Sequence, residues 1–409
     1  MNKKNLTILS IALVVLLAVF FLTDTREKGA IKRGGSRLFD GTNADAIASV
    51  ILTSKGTKLE LKNDGNGWVL PARSGYQADL NKLRSLILKV LDLTGSQKVT
   101  SDNKHFEALG VADNSAEKTN ARIQLLSQDG KELLSLLLGE PRKKGRSVAA
   151  APGQYIRKSG DEQVYLLGDP LEISASVSNW LNAELINIPQ SKVRRVIQEM
   201  IPADQSSANR TKVFELTSDG SGKFELDLQP SGNEEVQQPT VISVGGGLEN
   251  VRITDVFKSD AENVKGKEFD MFTTYYLSTG AVYEVRSFSA DSKIFAALSA
   301  RLDPELVKEN EKFTAELNEK RKAEYEEKKK AAEEAKKAEE QAAGDKEVSD
   351  SKVKFPQAYE PLKPDVVTDA DIARVNERHS NWVYEFATFQ GEKYRRGKAD
   401  LLKAAPSEK

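Results

Sequence analysis

From Leu6 to Leu22 the chain is apolar at every position except Thr7 and Ser10. As a helix rising about 1.5 Å per residue, this run spans roughly 25 Å, the short end of what a bilayer crossing needs. The pattern predicts a transmembrane anchor over residues 1–23. A cleaved signal peptide is the alternative. Against it, Ala18-Val19-Phe20-Phe21-Leu22-Thr23-Asp24 puts bulky residues where a small-x-small cleavage site is needed. Lys3 and Lys4 favour an N-terminus inside, whereas Arg26, Lys28, Lys32, Arg33 and Arg37 beyond the run favour the reverse. A very short head before a large domain fits a signal anchor, with the bulk of the chain outside. Residues 24–44 read as a polar, glycine-bearing juxtamembrane linker.

Beyond the linker the period changes. Val50-Ile51-Leu52 opens a strand, Lys58–Lys62 alternates apolar and polar, and Asp64-Gly65-Asn66-Gly67 turns the chain into Trp68-Val69-Leu70-Pro71. From Asp79, a helix N-cap, Leu80, Leu83, Ile87, Val90 and Leu91 fall on one helical face. Phe106 to Gly110 reads as a helical turn ended by glycine. Ala121–Ser127 with Glu132–Leu138, and Gln154–Arg157 with Gln163–Leu167, read as strand pairs. Together these predict a first α+β unit over 45–190.

The chain then repeats itself. Leu59-Glu60-Leu61-Lys62-Asn63-Asp64-Gly65-Asn66-Gly67 is echoed by Phe214-Glu215-Leu216-Thr217-Ser218-Asp219-Gly220-Ser221-Gly222. Leu248–Phe257 follows where the first unit ends its helix. Phe269–Leu277 and Ala281–Phe288 then flank a Ser278-Thr279-Gly280 turn. This predicts a second, degenerate α+β unit over 191–303, with Pro239 to Gly247 replacing much of the helix.

Residues 304–350 are Glu, Lys and Ala with few breaks. Glu316 and Lys320, Glu324 and Lys328, Glu326 and Lys330, and Glu333 and Lys337 are i, i+4 pairs in the stabilising order. Leu306, Phe313, Leu317 and Tyr325 offer a coiled-coil seam but do not sustain heptads. The expectation is a solvated helix of about forty residues, roughly 60 Å long, inserted ahead of a C-terminal segment, 351–409. That segment returns to the second unit through a helix at Asp369–Arg378 and a strand at Trp382-Val383-Tyr384-Glu385-Phe386. Tyr394–Lys409 reads as basic and at best amphipathic.

Composition narrows the function. Sixty basic and 61 acidic residues leave a net charge of −1, so no overall basic field favours nucleic acid. Without cysteine there is no disulfide, thiolate metal site or lipid-anchoring cysteine. The only histidines are His105 and His379, and neither belongs to a nucleophile elbow. Ser243-Val244-Gly245-Gly246-Gly247 is followed by Leu248-Glu249 in place of the Lys-Ser or Lys-Thr of a phosphate loop, and reads as a flexible turn. Trp68, Trp180 and Trp382 read as core residues. Lys143-Lys144-Gly145-Arg146 reads as a solvated loop cluster that could meet anionic headgroups. No residue is assigned a catalytic, cofactor-binding or metal-binding role.

The order of these features resembles the DUF4340 family of bacterial membrane-anchored envelope proteins. The residues carrying the likeness are Val50-Ile51-Leu52, the Leu59–Leu61 strand, Trp68-Val69-Leu70-Pro71, the Asp79–Leu93 helix and Phe106 with Leu109-Gly110-Val111. They continue with Leu138-Gly139, Tyr155, Val164-Tyr165-Leu166, Trp180 and the closing Trp382-Val383-Tyr384. The likeness covers most of 45–300 and extends to 370–403, and the Glu/Lys helix departs from it. It implies an accessory protein found beside ABC-transporter permeases and gliding-type auxiliary subunits, with no catalytic residues to carry over. The expected function is therefore a non-catalytic scaffold, single-pass in the inner (cytoplasmic) membrane. Its bulk would be periplasmic, and it would bind a protein partner such as an ABC-type transport system. Two alternatives stand: an envelope-spanning tether similar to the TolA stalk, and an extracytoplasmic hydrolase.

Overall fold

A computed structural model of the 409-residue chain describes residues 37–39, 42–94, 97–113, 121–142, 153–202, 209–343 and 354–404. The expected anchor, most of the linker and the Lys143-Lys144-Gly145-Arg146 cluster lie outside the described residues. Among the described residues no helix is long and apolar enough to cross a membrane. The architecture is strand-rich α+β, and the chain divides into two compact units with the boundary after Asn182, ahead of the expected position near 190.

The first unit is built on period-two burial. β1 (Ser49–Ser54) pairs with β2 (Thr57–Asn63) and with β6 (Ala121–Leu126), both antiparallel. Val50 lies opposite Leu61 and Leu125, and Leu52 lies opposite Leu59 and Ile123, so one face of three strands is uniformly apolar and buried. β3 (Trp68–Leu70), β4 (Tyr76–Gln77), β5 (Gln97–Thr100), β7 (Glu132–Arg142), β8 (Gly153–Lys158) and β9 (Val164–Leu167) complete a sheet ordered β4-β3-β2-β1-β6-β7-β8-β9-β5. Helix α1 (Leu80–Leu91) is capped by Asp79, whose carboxylate accepts from the Lys82 amide at 3.0 Å. It buries Leu83, Leu86, Ile87 and Val90, an i, i+3, i+4, i+7 stripe. Leu80, expected on that face, is exposed, and Leu86 takes its place.

Leu134 to Leu138 is buried without alternation because the sheet's second face is covered too. There Val111, Leu137 and Val164 cluster with Phe106, Leu109 and Tyr155. Arg157 fastens this cover. It is 1 % exposed, donates to the carbonyls of Val111 (2.9 Å) and Asp161 (2.6 Å), pairs with Asp113 at 2.6 Å and stacks on Phe106. Burial works to raise the Asp113 pKa. Hydrogen bonds from Ser159 and Arg157, with the Arg157 charge, outweigh it and hold the carboxyl below its usual value.

The second unit repeats the plan. Its strands are β10 (Glu184–Ile186), β11 (Val193–Met200), β12 (Thr211–Thr217), β13 (Glu225–Leu226), β14 (Glu234–Val236), β15 (Val251–Arg252), β16 (Asp255–Lys258), β17 (Met271–Leu277), β18 (Ala281–Ala290), β19 (Lys293–Leu302), β20 (Trp382–Phe386) and β21 (Leu402–Ala404). The helices are α2 (Gln238–Gly245), α3 (Pro304–Ala343), α4 (Asp369–His379), α5 (Thr388–Gly391) and α6 (Lys398–Leu401). The main sheet runs β13-β12-β11-β17-β18-β19-β20-β16. Strand for strand, this is the order β3-β2-β1-β6-β7-β8-β9-β5 of the first unit. In both, a strand beyond the helix, β5 in the first unit and β16 after the short β15 in the second, crosses to the far edge and pairs with the last strand of the sheet. The echoed turns agree as well. Asp64 and Asp219 each accept the amide two residues on, and Gly65 and Gly220 follow at φ +95° and +94°.

Four expectations are corrected here. Pro239 to Gly247, expected to replace much of the second unit's helix, is largely helical itself: α2 has 8 residues against 12 in α1. A Cβ on Gly245 would meet the Phe224 ring at 2.2 Å, and one on Gly247 would meet the Tyr275 hydroxyl at 2.0 Å. The glycine run is thus a close-packed helix end and not a flexible turn. The C-terminal stretch is core and not a loose amphipathic tail. Tyr394 is buried and donates to the Gly247 carbonyl at 2.7 Å. Arg395 makes a bidentate pair with Asp270 at 2.6 and 2.7 Å, and β21 pairs with β14. Of the tryptophans, only Trp180 is fully buried, and its indole donates to the Ser174 carbonyl at 2.6 Å. Trp68 and Trp382 are half-buried.

Two buried groups, Arg157 and His379, generate predictions. Replacing Arg157 with Ala should cost about 2–4 kcal/mol, because it leaves two carbonyls without their donor and Asp113 with Ser159 as its remaining side-chain partner. Chemical denaturation measures this, and a loss below about 1 kcal/mol would count against the fastening role. His379 is buried on Tyr384, with Nδ1 and the hydroxyl oxygen 2.8 Å apart. Burial, helped by the Arg378 charge, lowers its pKa to about 4. The unfolded chain titrates this group near 6.5, so it binds more protons than the folded one between about pH 6.5 and 4. Stability should therefore fall with pH across that window, by about 2 kcal/mol between pH 7 and 5. A His379→Gln variant should show a flatter profile there, whatever its stability at pH 7.

Candidate functional site

Two features of the described residues are not absorbed by folding: a groove in the first unit and a helical excursion from the second.

The groove has a volume of about 450 Å³. It is framed where the β2–β3 turn, the edge strand β4 and the N-terminus of α1 meet. Ala78 donates to the Trp68 carbonyl (2.8 Å) and Asp79 to the Trp180 carbonyl (2.7 Å), which locks the helix start against the edge of the sheet. The turn contributes Asp64 and Asn66, β3 contributes Trp68, and β4 contributes Gln77. The helix start adds Asp79 and Asn81, and Asn182 closes the far side. Asp64 uses one oxygen on the amides of Asn66 and Gly67, and Asp79 uses one on Lys82, so each keeps a second oxygen for a ligand. The side-chain amides of Asn66, Gln77, Asn81 and Asn182 make no hydrogen bond to another described residue. No lysine or arginine lines the space among the described residues.

In the second unit the echoed turn is held by side chains. Gln190 donates to the Gly222 carbonyl at 2.8 Å, and the Arg194 guanidinium lies against Gly220. In the first unit, nothing stands within 4 Å of a Cβ built on Gly65, Gly67 or Gly75. A second concavity, of about 280 Å³, lies on the sheet of the second unit, and its charges are already matched. There Arg210 sits on the Phe272 ring between Glu284 (2.6 Å) and Glu199 (3.6 Å).

The excursion is α3 with the segment that returns along it. In the first unit β8 and β9 are joined by a tight turn, 159–163. In the second, residues 303–381 connect the corresponding strands, β19 and β20. α3 leaves from Asp303, whose amide donates to the Gly280 carbonyl (2.8 Å). The returning chain arrives at Val367, whose amide donates to the Thr279 carbonyl (2.9 Å). Both ends are thus rooted on one β-turn. Along the way Asn318 exchanges two hydrogen bonds of 2.8 Å with the backbone of Leu362, and its carbonyl accepts from Tyr359 at 2.9 Å. Tyr359 also meets Tyr325 ring to ring. The covered stripe of α3 runs through Leu306, Asn310, Thr314, Leu317, Asn318, Arg321 and Tyr325. Phe313, expected in an apolar seam, is 63 % exposed. Leu306, Leu317 and Tyr325 of the expected seam do lie on the stripe, and Asn310, Asn318 and Arg321, which apolar periodicity does not register, complete it.

His105 belongs to the first unit and His379 is buried in the second. Among the described residues no cluster of three or more histidines and carboxylates could hold a metal. The sequence named no site residue. Trp68 was read as core because it opens an apolar strand. The signal for a groove was the asparagine- and aspartate-rich run on either side of it, at 63–66 and 79–81.

Residues 68–268 match the model of the DUF4340 family, described as a domain of unknown function, so the family resemblance holds over that stretch. The match starts at Trp68 in the first unit and ends inside the second. No curated protein and no solved structure matches the chain.

Asn318→Ala should free the returning segment without disturbing the body of the unit. Hydrogen exchange at residues 357–364 should rise roughly tenfold or more, reflecting hydrogen bonds worth about 1 kcal/mol each. The denaturation midpoint should not move. A shift of the whole midpoint would mean that the strap is part of the core.

Proposed function

We propose that the protein is a non-catalytic, membrane-anchored envelope scaffold that docks a protein partner through the α3 excursion. The observation that carries this reading is the excursion's shape. A 40-residue helix, about 60 Å long, replaces a tight hairpin turn and is braced by a strap that returns to its root. Phe313, Phe355 and Leu362 stay exposed along it. Such an arm costs ordering entropy and adds little to the core, which fits a surface kept for another molecule.

The apolar run Leu6–Leu22 supports an inner-membrane anchor, with both units on the extracytoplasmic side. The ABC-transport class of partner is what the resemblance to the DUF4340 family implies. The return of the chain to Thr279 favours docking over a spanning tether, because both ends of the excursion sit at one place.

The shared root also makes a clean test. Residues 304–366 can be replaced by a short Gly-Ser linker, since their flanks hydrogen-bond to adjacent residues of one turn. The excised protein should stay in the membrane with its denaturation midpoint within a few degrees of the parent. In native-membrane crosslinking, the parent should capture a defined envelope protein, a permease or its ATPase, and the excised form should lose it. Capture that survives excision would overturn the arm as the docking element. Absence of any partner for the parent would overturn the scaffold reading.

A further inference from the structure

We propose that the groove beside Trp68 in the first unit is a binding site for a neutral saccharide. The inference does not depend on the docking role of α3.

The groove has the size of a small-ligand cleft, about 450 Å³ against a usual range of roughly 300–1,000 Å³. Its charge excludes one large class of ligand. Asp64 and Asp79 are the ionisable groups lining it, so a phosphate, carboxylate or sulfate would meet repulsion and no cation. Its hydrogen-bonding inventory selects within what remains. The four free amides of Asn66, Gln77, Asn81 and Asn182 present donors and acceptors together, and the second oxygens of Asp64 and Asp79 add acceptors. A ligand that satisfies both kinds must itself donate and accept at closely spaced points, as vicinal hydroxyls do. A purely cationic ligand would use the two carboxylates and leave the amide donors unmatched.

Trp68 supplies the remaining requirement. Its half-buried ring borders the amides and offers a flat apolar surface to the C–H face of a pyranose, while the sugar's edges carry the hydroxyls. The second unit carries Lys223 after its echoed turn, where the first carries Trp68, so the aromatic side chain at this place is particular to the first unit.

Calorimetric titration of the full chain in sugar-free lipid nanodiscs tests this, since glycoside detergents would compete. The probes are maltotriose, cellotriose and chitotriose, with spermidine as a cationic comparison. At least one trisaccharide should bind with a dissociation constant below about 10 mM, and Trp68→Ala should weaken it about tenfold or more. Gln77→Ala, at an exposed position on the edge strand, should weaken it as well without affecting folding. No trisaccharide binding up to about 10 mM, binding unchanged in both variants, or binding of spermidine alone would each overturn the proposal.

Discussion

Each unit hangs on one long-range pairing: a strand beyond the helix must cross the sheet and meet the sheet's last strand to arrive. In the first unit this is β5 on β9, with Lys98 opposite Tyr165. In the second it is β16 on β20, with Val256 opposite Tyr384 and Phe257 opposite Val383. Until β20 is in place, Phe257, Phe288 and Phe295 have only part of their cluster, because Val383 completes it. Local hairpins supply most of the ladder, but they cannot close the sheet. The pairing is distant in sequence, so its loop entropy is met before its contacts form, and the second unit should close late. Its C-terminal residues then seal the other side. Tyr394, Arg395 and β21 all follow β20 and tie α2 to the sheet.

Buried polar groups decide how the covering segments sit. Apolar packing of Phe106, Leu109 and Val111 on the first sheet does not by itself fix where the 103–113 loop sits. Arg157 fixes it with donors aimed at Val111, Asp161 and Asp113. Tyr275 and Tyr394 do the same for α2, donating to the carbonyls of Val244 and Gly247 at the helix end, where backbone acceptors lack intrahelical donors. Burial of both phenols, without a compensating cation, pushes their pKa values upward, so they remain donors across the physiological range.

These devices explain what could and could not be read from the residues alone. The hairpins were legible because period-two alternation and the Asp-Gly turns act locally, and Asp64 and Asp219 do the same work in both units. The duplication was legible for the same reason. The crossing of β5 and β16 was not, because β5 is exposed along most of its length and carries no apolar alternation to announce a sheet edge. The glycine run misled because flexibility and close packing call for the same residue, and only Phe224 and Tyr275 tell them apart. The groove was hidden because Trp68 opens an apolar strand, which reads as core, while the residue is only half-buried. The stripe of α3 was legible only at Leu306, Leu317 and Tyr325, because the amides between them bind backbone groups and leave no mark in apolar spacing.

The position of the excursion follows from the same topology. An insertion between β19 and β20 lengthens the connection about fifteen-fold over the 159–163 turn of the first unit, roughly four doublings. At about 0.6 kcal/mol per doubling, a flexible insert would cost about 2.4 kcal/mol in closure entropy. The excursion is not flexible at its base. Asp303 and Val367 are held on adjacent carbonyls, and Asn310 donates to Ser278 at the same turn, so the effective loop begins and ends at one point. Beyond Val367, Thr368 caps α4 with a reciprocal box to Asp371, and Asn376 pairs with the backbone of Ala300 on β19. The chain is thus delivered to β20 already aligned. That is why a hairpin between two central strands can carry a long charged arm while the pairing on which the unit depends still closes.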